Sequence, residues 1–149
     1  MSNKVKKYDR LLEQLKPLIE KSPSQIAKMS TINAVLYHKM KDFFWVGFYL
    51  LQDGQLVVGP YQGPLACQVL AYPKGVCWAA IKNKETIVVS NVEEFPDHIA
   101  CDSRSKSEIV IPLTNSEGEV YGVLDVDSDK LAQFDMEDAQ GLKNILDLL

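Results

Sequence analysis

Residues 107–114, SEIVIPLT, and 119–128, EVYGVLDVDS, alternate side-chain character along their length and flank the turn signal Asn115-Ser116-Glu117-Gly118. The pattern predicts a β-hairpin. Strand side chains alternate between faces, so Ile109, Ile111 and Leu113 share one face, and Glu108 and Val110 take the other. On the partner strand Val120, Leu124 and Val126 share a face, opposite Asp125 and Asp127. A slip of one residue would turn one apolar set outward, so burial selects registers that keep the two sets together. Those registers pair residues whose numbers sum to an odd value, such as 109 with 124 and 113 with 120. Glu108 then falls opposite Asp125 or, two residues along, opposite Asp127. Three carboxylates crowd one patch of sheet. Like charges facing each other destabilise a sheet, so the patch needs a cation, a shared proton or bulk water. Arg104 and Lys106 are the cations nearest in sequence, and a solvated sheet face is the plain alternative. Clustered acids next to a reactive thiol favour a functional site. Crowding raises the pKa of at least one carboxyl, which then serves as a proton donor near neutrality.

The remaining pattern surrounds this hairpin. Leu11, Leu12, Leu15, Leu18 and Ile19 recur at helical spacing, predicting a helix from about Lys4 to Glu20 that Pro17 bends or stops. Ser22-Pro23 reads as the N-cap and first-turn proline of a second helix with the stripe Ile26, Met29, Ile32, Leu36 and Met40. Phe43 to Leu51 reads as a strand, returned by Asp53-Gly54 into Leu56 to Val58. On the first strand Phe44, Val46, Phe48 and Leu50 point one way, and Trp45, Gly47 and Tyr49 the other. Aromatic rings with polar handles around a glycine suit a small pocket, or equally a second core layer under the N-terminal helices. Further expectations are a strand over Ala66 to Tyr72, a helix over Pro73 to Ile81, a short strand over Thr86 to Ser90 and a helical turn or loop over Asn91 to Pro96. A last helix from about Asp135 carries Leu142, Ile145, Leu146 and Leu149 on one face. Helices at both ends of hairpin-connected strands imply an α+β fold with an antiparallel sheet.

A length of 149 residues suits one domain, 1–149, with its own core. A net charge of −4 argues against a nucleic-acid surface. No apolar run approaches the roughly 20 residues that span a bilayer, and MSNKVKKYDR lacks the apolar core of a secretion signal. A cytoplasmic, reducing location is the expectation, where cysteines are more often catalytic or metal-binding than structural.

Of the three cysteines, Cys101 stands in the polar loop HIACDSRSKSE. Cations near a thiol favour its reactive thiolate; His98, Arg104 and Lys106 act in that sense, while Asp97 and Asp102 oppose it. Cys67 and Cys77 lie upstream, where either can fold back onto Cys101. Cys77, in GVCWAAI, suits core packing. Cys67, after a Gly-Pro turn, suits the exposed start of a strand. Cys67, Cys77, His98 and Cys101 do not have the spacing of a zinc site, and no metal is expected. His38 and His98 lie in no recognisable hydrolase signature.

WVGFYL (45–50), GPYQGPLAC (59–67), GVCWAA (75–80), HIACDSRSKSEIVIPL (98–113) and GVLDVDS (122–128) together resemble the free methionine-(R)-sulfoxide reductase family. The resemblance covers essentially the whole chain. It implies a GAF fold with a six-stranded antiparallel sheet flanked by helices, and one small-molecule site. It implies Cys101 as nucleophile and Cys67 as the cysteine that closes a disulfide with it, with Cys77 a second resolving candidate. Glu108, Asp125 and Asp127 would hold the substrate ammonium and protonate the sulfoxide oxygen, and Trp45 and Tyr49 would line the side-chain pocket. The expected substrate is free L-methionine-(R)-sulfoxide, its carboxylate meeting backbone N–H groups near Lys74 to Val76 at a helix start. No bound cofactor is expected, and thioredoxin is the expected external reductant. A homodimer is left open. The rival readings are a GAF sensor without chemistry and a general redox-sensing domain.

Overall fold

Six strands and four helices build the computed structural model of the chain, which describes residues 1–98 and 101–149. In chain order they are α1 (Asn3–Ile19), α2 (Gln25–Lys39), β1 (Trp45–Gln52), β2 (Gln55–Gln62), β3 (Val69–Leu70), α3 (Gly75–Asn83), β4 (Ile87–Val89), β5 (Ser107–Thr114), β6 (Val120–Ser128) and α4 (Met136–Leu146). A 3-10 turn at Val92–Glu94 follows β4. The sheet order is β3-β2-β1-β6-β5-β4, and every neighbouring pair is antiparallel. The α+β architecture and six-stranded sheet implied by the sequence are both present.

The sheet buries a different set of residues on each face. Val46, Phe48, Ile109, Ile111, Leu113, Leu124 and Val126 pack against α1, α2 and α4, through residues such as Leu15, Ile32, Leu36, Leu142 and Ile145. The other face packs Trp45, Tyr49, Val110 and Val123 against α3, through Val76, Cys77 and Trp78. Both faces of the central strands are therefore covered, so a polar side chain there is removed from bulk water. Trp45 and Tyr49 accordingly stand on the α3 side, away from the N-terminal helices.

Several boundaries depart from the sequence reading. Ser24, not Ser22, caps α2, its hydroxyl accepting the N–H of Ala27 at 3.1 Å. The helix thus begins two residues later, and Pro23 lies outside it. Helix α1 continues through Pro17 to Ile19; so close to the end, the proline forfeits a single backbone hydrogen bond. Ile26 is 63% exposed, outside the buried stripe formed by Met29, Ile32, Leu36 and Met40. Strand β3 has only two residues; Gln68 before it still accepts the N–H of Val58 at 3.0 Å, and Cys67 enters the disulfide described below. Phe44 precedes β1 and faces the α3 side, among the partly buried residues there, rather than sharing the face of Val46.

Register confirms the parity argument and selects one of its two solutions. Glu108 pairs with Asp127, Ile109 with Val126, and Val110 with Asp125. The sum is odd as expected, but the pairing lies two residues along from 109 with 124. An irregularity at Leu113/Thr114 absorbs the change before the turn, so Leu113 meets Gly122 and Thr114 meets Val120.

Candidate functional site

A cavity of about 60 Å³ opens between the sheet and α3, several times the 10–15 Å³ that seats one water. Trp45 and Tyr49 form one wall, the start of α3 another, and Glu108, Asp125 and Asp127 the floor, while Cys101 and His98 lie on the β4–β5 connection at its edge. The strand period accounts for the convergence. Trp45 pairs with Asp127 and Gly47 with Asp125 across β1 and β6, while Glu108 pairs with Asp127 across β5 and β6. Residues paired in this way share a face, so one face of three adjacent strands collects two aromatic rings and three acids.

Gly47 is a spacing requirement of the wall. A Cβ built there would collide with the ring of Trp45 and with Tyr61. Trp45 stacks between Tyr49 and Tyr61, with ring centroids 5.7 and 5.3 Å away and planes within about 22° of parallel. Its Nε1 donates to the carbonyl of Pro64 at 3.0 Å, and the Tyr49 hydroxyl donates to the carbonyl of Cys67 at 3.3 Å. These two bonds tie the aromatic wall to the segment that carries Cys67.

Cys67 and Cys101 are joined in a disulfide, with Cα atoms 5.5 Å apart. The expected pairing is therefore the one present, and Cys77 is left as a free, buried thiol. Cys77 stands in the first turn of α3 and is both core and site: it packs among Val76, Trp78 and Val110 and lines the cavity. Burial, followed by the nearby Asp125 carboxylate, pushes its thiol well above the ordinary value. It is a poor thiolate in this state.

Glu108 and Asp125 are removed from water, and Asp127 is half-buried. Glu108 is 5% exposed and Asp125 6%. Burial first, and the charge of Asp127 second, raise Glu108 to about 8. Burial first and neighbouring acids next raise Asp125 and Asp127 well above the usual carboxylate range. Three such groups in contact cannot all be ionised, so protons are held between them. Asp125 Oδ1 is buried and accepts no hydrogen bond from any fixed donor, on a residue that lines the cavity. The two alternatives raised from sequence do not describe this floor. It is not a solvated face, and Arg104 is engaged elsewhere, donating to both oxygens of Asp102 at 3.0 and 2.7 Å and lying 4.9 Å above the Phe44 ring. That pair lowers Asp102 to about 2.

His98 is the one imidazole or other cationic side chain among the described residues within ion-pair distance of the floor, with Nε2 3.7 Å from Glu108 Oε1. Burial lowers its pKa, which favours the neutral ring. The sequence reading placed His98 beside Cys101 but did not connect it to Glu108; its position three residues before Cys101 was the available signal. Phe44 is a further cavity residue that the alternation rule assigned to the wrong face. At the start of α3, Lys74, Gly75 and Val76 line the cavity. Lys74 caps the helix with no side-chain hydrogen bond, so first-turn N–H groups are left without side-chain partners.

The sequence profile of the GAF domain matches residues 33–149. "GAF domain-containing protein A" of Dictyostelium discoideum is 47% identical over 148 residues, which cover 99% of this chain and 92% of the relative. The free methionine-R-sulfoxide reductase of Escherichia coli (strain K12) is 39% identical over 144 residues, 97% of this chain and 87% of the relative. The X-ray structure of free methionine-R-sulfoxide reductase from Neisseria meningitidis, in complex with its substrate, superposes with a TM-score of 0.92 at 41% identity, covering 99% of this chain and 89% of that one. Fold and near-full-length identity agree, and the chain belongs to the GAF-domain family and, within it, to the free methionine-R-sulfoxide reductases.

Proposed function

We propose that this protein reduces free L-methionine-(R)-sulfoxide to L-methionine by a dithiol cycle. The observation that carries the reading is the Cys67–Cys101 disulfide, with Cys101 at the edge of a cavity floored by buried, proton-holding acids. In the reduced protein the Cys101 thiolate attacks the sulfoxide sulfur while a protonated carboxyl, Glu108 by its raised pKa, gives its proton to the oxygen. The protonated oxygen then passes from the substrate sulfur to Cys101 Sγ as the transient bond between the two sulfurs breaks, so methionine leaves and Cys101 becomes a sulfenic acid. The Cys67 thiol then displaces that oxygen as water, forming the disulfide. The sulfoxide sulfur gains two electrons and the cysteine pair loses two. An external dithiol, thioredoxin, reopens the disulfide by exchange, which suits a cytoplasmic setting. Cys77 remains in reserve as a second resolving thiol.

Binding follows from charge. Buried acids favour an ammonium, so Asp125 and Asp127 hold the amino group, and the free N–H groups at the start of α3 receive the carboxylate. Trp45 and Tyr49 enclose the thioether arm. A peptide-bound sulfoxide has neither free terminus and does not fit a cavity closed in this way. No bound cofactor enters the cycle.

Turnover of separated sulfoxide epimers tests the reading. A pocket that fixes ammonium, side chain and oxygen together aligns one epimer for in-line attack. The free R epimer is expected to be consumed with loss of two thiols per methionine, and the S epimer and a capped peptide to be ignored. Equal rates on both epimers would overturn the free-R assignment. Binding without thiol loss would leave a sensor, and thiol loss to peroxide alone a general redox domain.

A further inference from the structure

The floor of the cavity also presents a ligand set that the proposed reduction does not use as such. Cys77 Sγ, a Glu108 carboxylate oxygen and an Asp125 carboxylate oxygen all lie within 4.8 Å of one another, on three buried residues. They come from α3, β5 and β6, so the set exists only after α3 packs on the sheet and has no local spacing in the sequence. Zinc-like bonds of roughly 2.0 Å to oxygen and 2.3 Å to sulfur make tetrahedron edges of about 3.3–3.5 Å. Side-chain shifts on the order of one ångström close the three atoms on an ion.

A second observation, separate from the spacing of the three atoms, points to a ligand. Asp125 is 94% buried, as the complement of its 6% exposure, and its Oδ1 accepts no hydrogen bond. An orphaned acceptor at that depth is costly, and it belongs to the same carboxylate that approaches Cys77. Among the described residues the only basic side chain within 4 Å of the two carboxylates is His98, whose Nε2 lies 3.7 Å from Glu108 Oε1. Imidazole is itself a ligand for the same ions. One sulfur, two carboxylates and an imidazole at the edge suit a borderline-soft ion, whereas Mg²⁺ and Ca²⁺ demand oxygen alone.

We propose that Cys77, Glu108 and Asp125, with His98 available as a fourth ligand, form a site for a thiophilic divalent cation of the zinc class, which blocks the cavity when occupied. Cys67 and Cys101 take no part. The cation therefore binds the oxidised protein, in which both are sealed in the disulfide and Cys77 is the only thiol. This separates the site from ordinary capture of metal by a reactive nucleophile.

Cadmium is the probe, because ligation by a thiolate gives an ultraviolet charge-transfer band. Titration of the oxidised full-length protein with Cd²⁺ is expected to give that band with one equivalent per chain, and Zn²⁺ to displace it. Excess Mg²⁺ is expected to leave it unchanged. Cys77→Ser should abolish the band. Asp125→Asn and Glu108→Gln, which keep the thiol and the shape of the site, should each weaken Cd²⁺ binding at least tenfold. Those two variants keep the test decisive should Cys77→Ser not fold. Absence of the band in the oxidised protein, displacement of Cd²⁺ by Mg²⁺, or unchanged affinity in both amide variants would overturn the site.

Discussion

Glu108 on β5 stands directly opposite Asp127 on β6, on the sheet face that packs against α3, with Glu108 buried and Asp127 half-buried. A directly opposed acid pair is a destabilising cross-strand combination, and Asp125, two residues along β6, adds a third member on the same face. The fold accommodates them by leaving protons in place, so chemistry and instability arise from the same arrangement.

Neutral amides at this floor should separate the two effects. Glu108→Gln, Asp125→Asn and Asp127→Asn each remove one ionisable member of a crowded set while keeping its shape. Melting temperature is expected to hold or rise, whereas turnover of methionine-(R)-sulfoxide should fall roughly 10²-fold or more, the usual scale for loss of a general acid. A clear drop in melting temperature alongside the lost activity would assign these residues a structural role instead.

The pH dependence has a definite sign. Glu108 is raised from 4.5 to about 8 in the fold, so the folded state holds a proton that the unfolded chain releases above 4.5. Its contribution to stability is fully present below pH 4.5 and is lost as pH rises through about 8. Melting temperature measured across that window should decline more steeply in the native protein than in Glu108→Gln. Turnover should also fall above about pH 8, as the donor form is titrated away.

Gly47→Ala tests the aromatic wall. The new Cβ would meet Trp45 and Tyr61, and overpacking of this kind costs about 1–3 kcal/mol. Relief requires Trp45 to move, which breaks its stack with Tyr49. The expected kinetic signature is a raised KM for the sulfoxide, together with a lowered melting temperature. Unchanged KM would mean that the Trp45 ring is not a contact for the substrate arm.

What could be read from sequence follows the range of the interaction involved. The facing of Glu108, Asp125 and Asp127 was legible because strand period and burial act locally on every residue of β5 and β6. The choice between the two odd-sum registers was not, since the irregularity at Leu113/Thr114 depends on how the turn closes. Alternation failed at Phe44, which lies just before β1, where the period of two no longer applies. Cys77 read as core, and it is core, but its approach to Asp125 comes from the packing of α3 across the sheet. No pattern within GVCWAAI encodes that contact. Strand β3 is also shorter than its pattern implied, and Cys67 before it is held by a partner 34 residues away.

The cysteines provide the sharpest separation of roles, because each substitution should arrest the cycle at a different point. Cys101→Ser removes the attacking atom, so no methionine should form even in a single turnover. Cys67→Ser leaves attack intact but removes the thiol that condenses with the sulfenic acid. It should release about one methionine per chain and then stall under thioredoxin, which acts chiefly on disulfides. A small monothiol should restart it by capping the sulfenic acid and then being exchanged away. Cys77→Ser should retain much of the activity, because the disulfide joins Cys67 to Cys101 and leaves Cys77 buried with a raised pKa. Mass spectrometry of the stalled proteins reads the outcome directly, as a sulfenic acid or its trapped adduct in Cys67→Ser and a closed disulfide in Cys77→Ser. A methionine burst from Cys101→Ser would move the nucleophile to another residue. Normal thioredoxin-driven turnover by Cys67→Ser, with a stall in Cys77→Ser, would transfer the resolving role to Cys77 and require the start of α3 to open during the cycle.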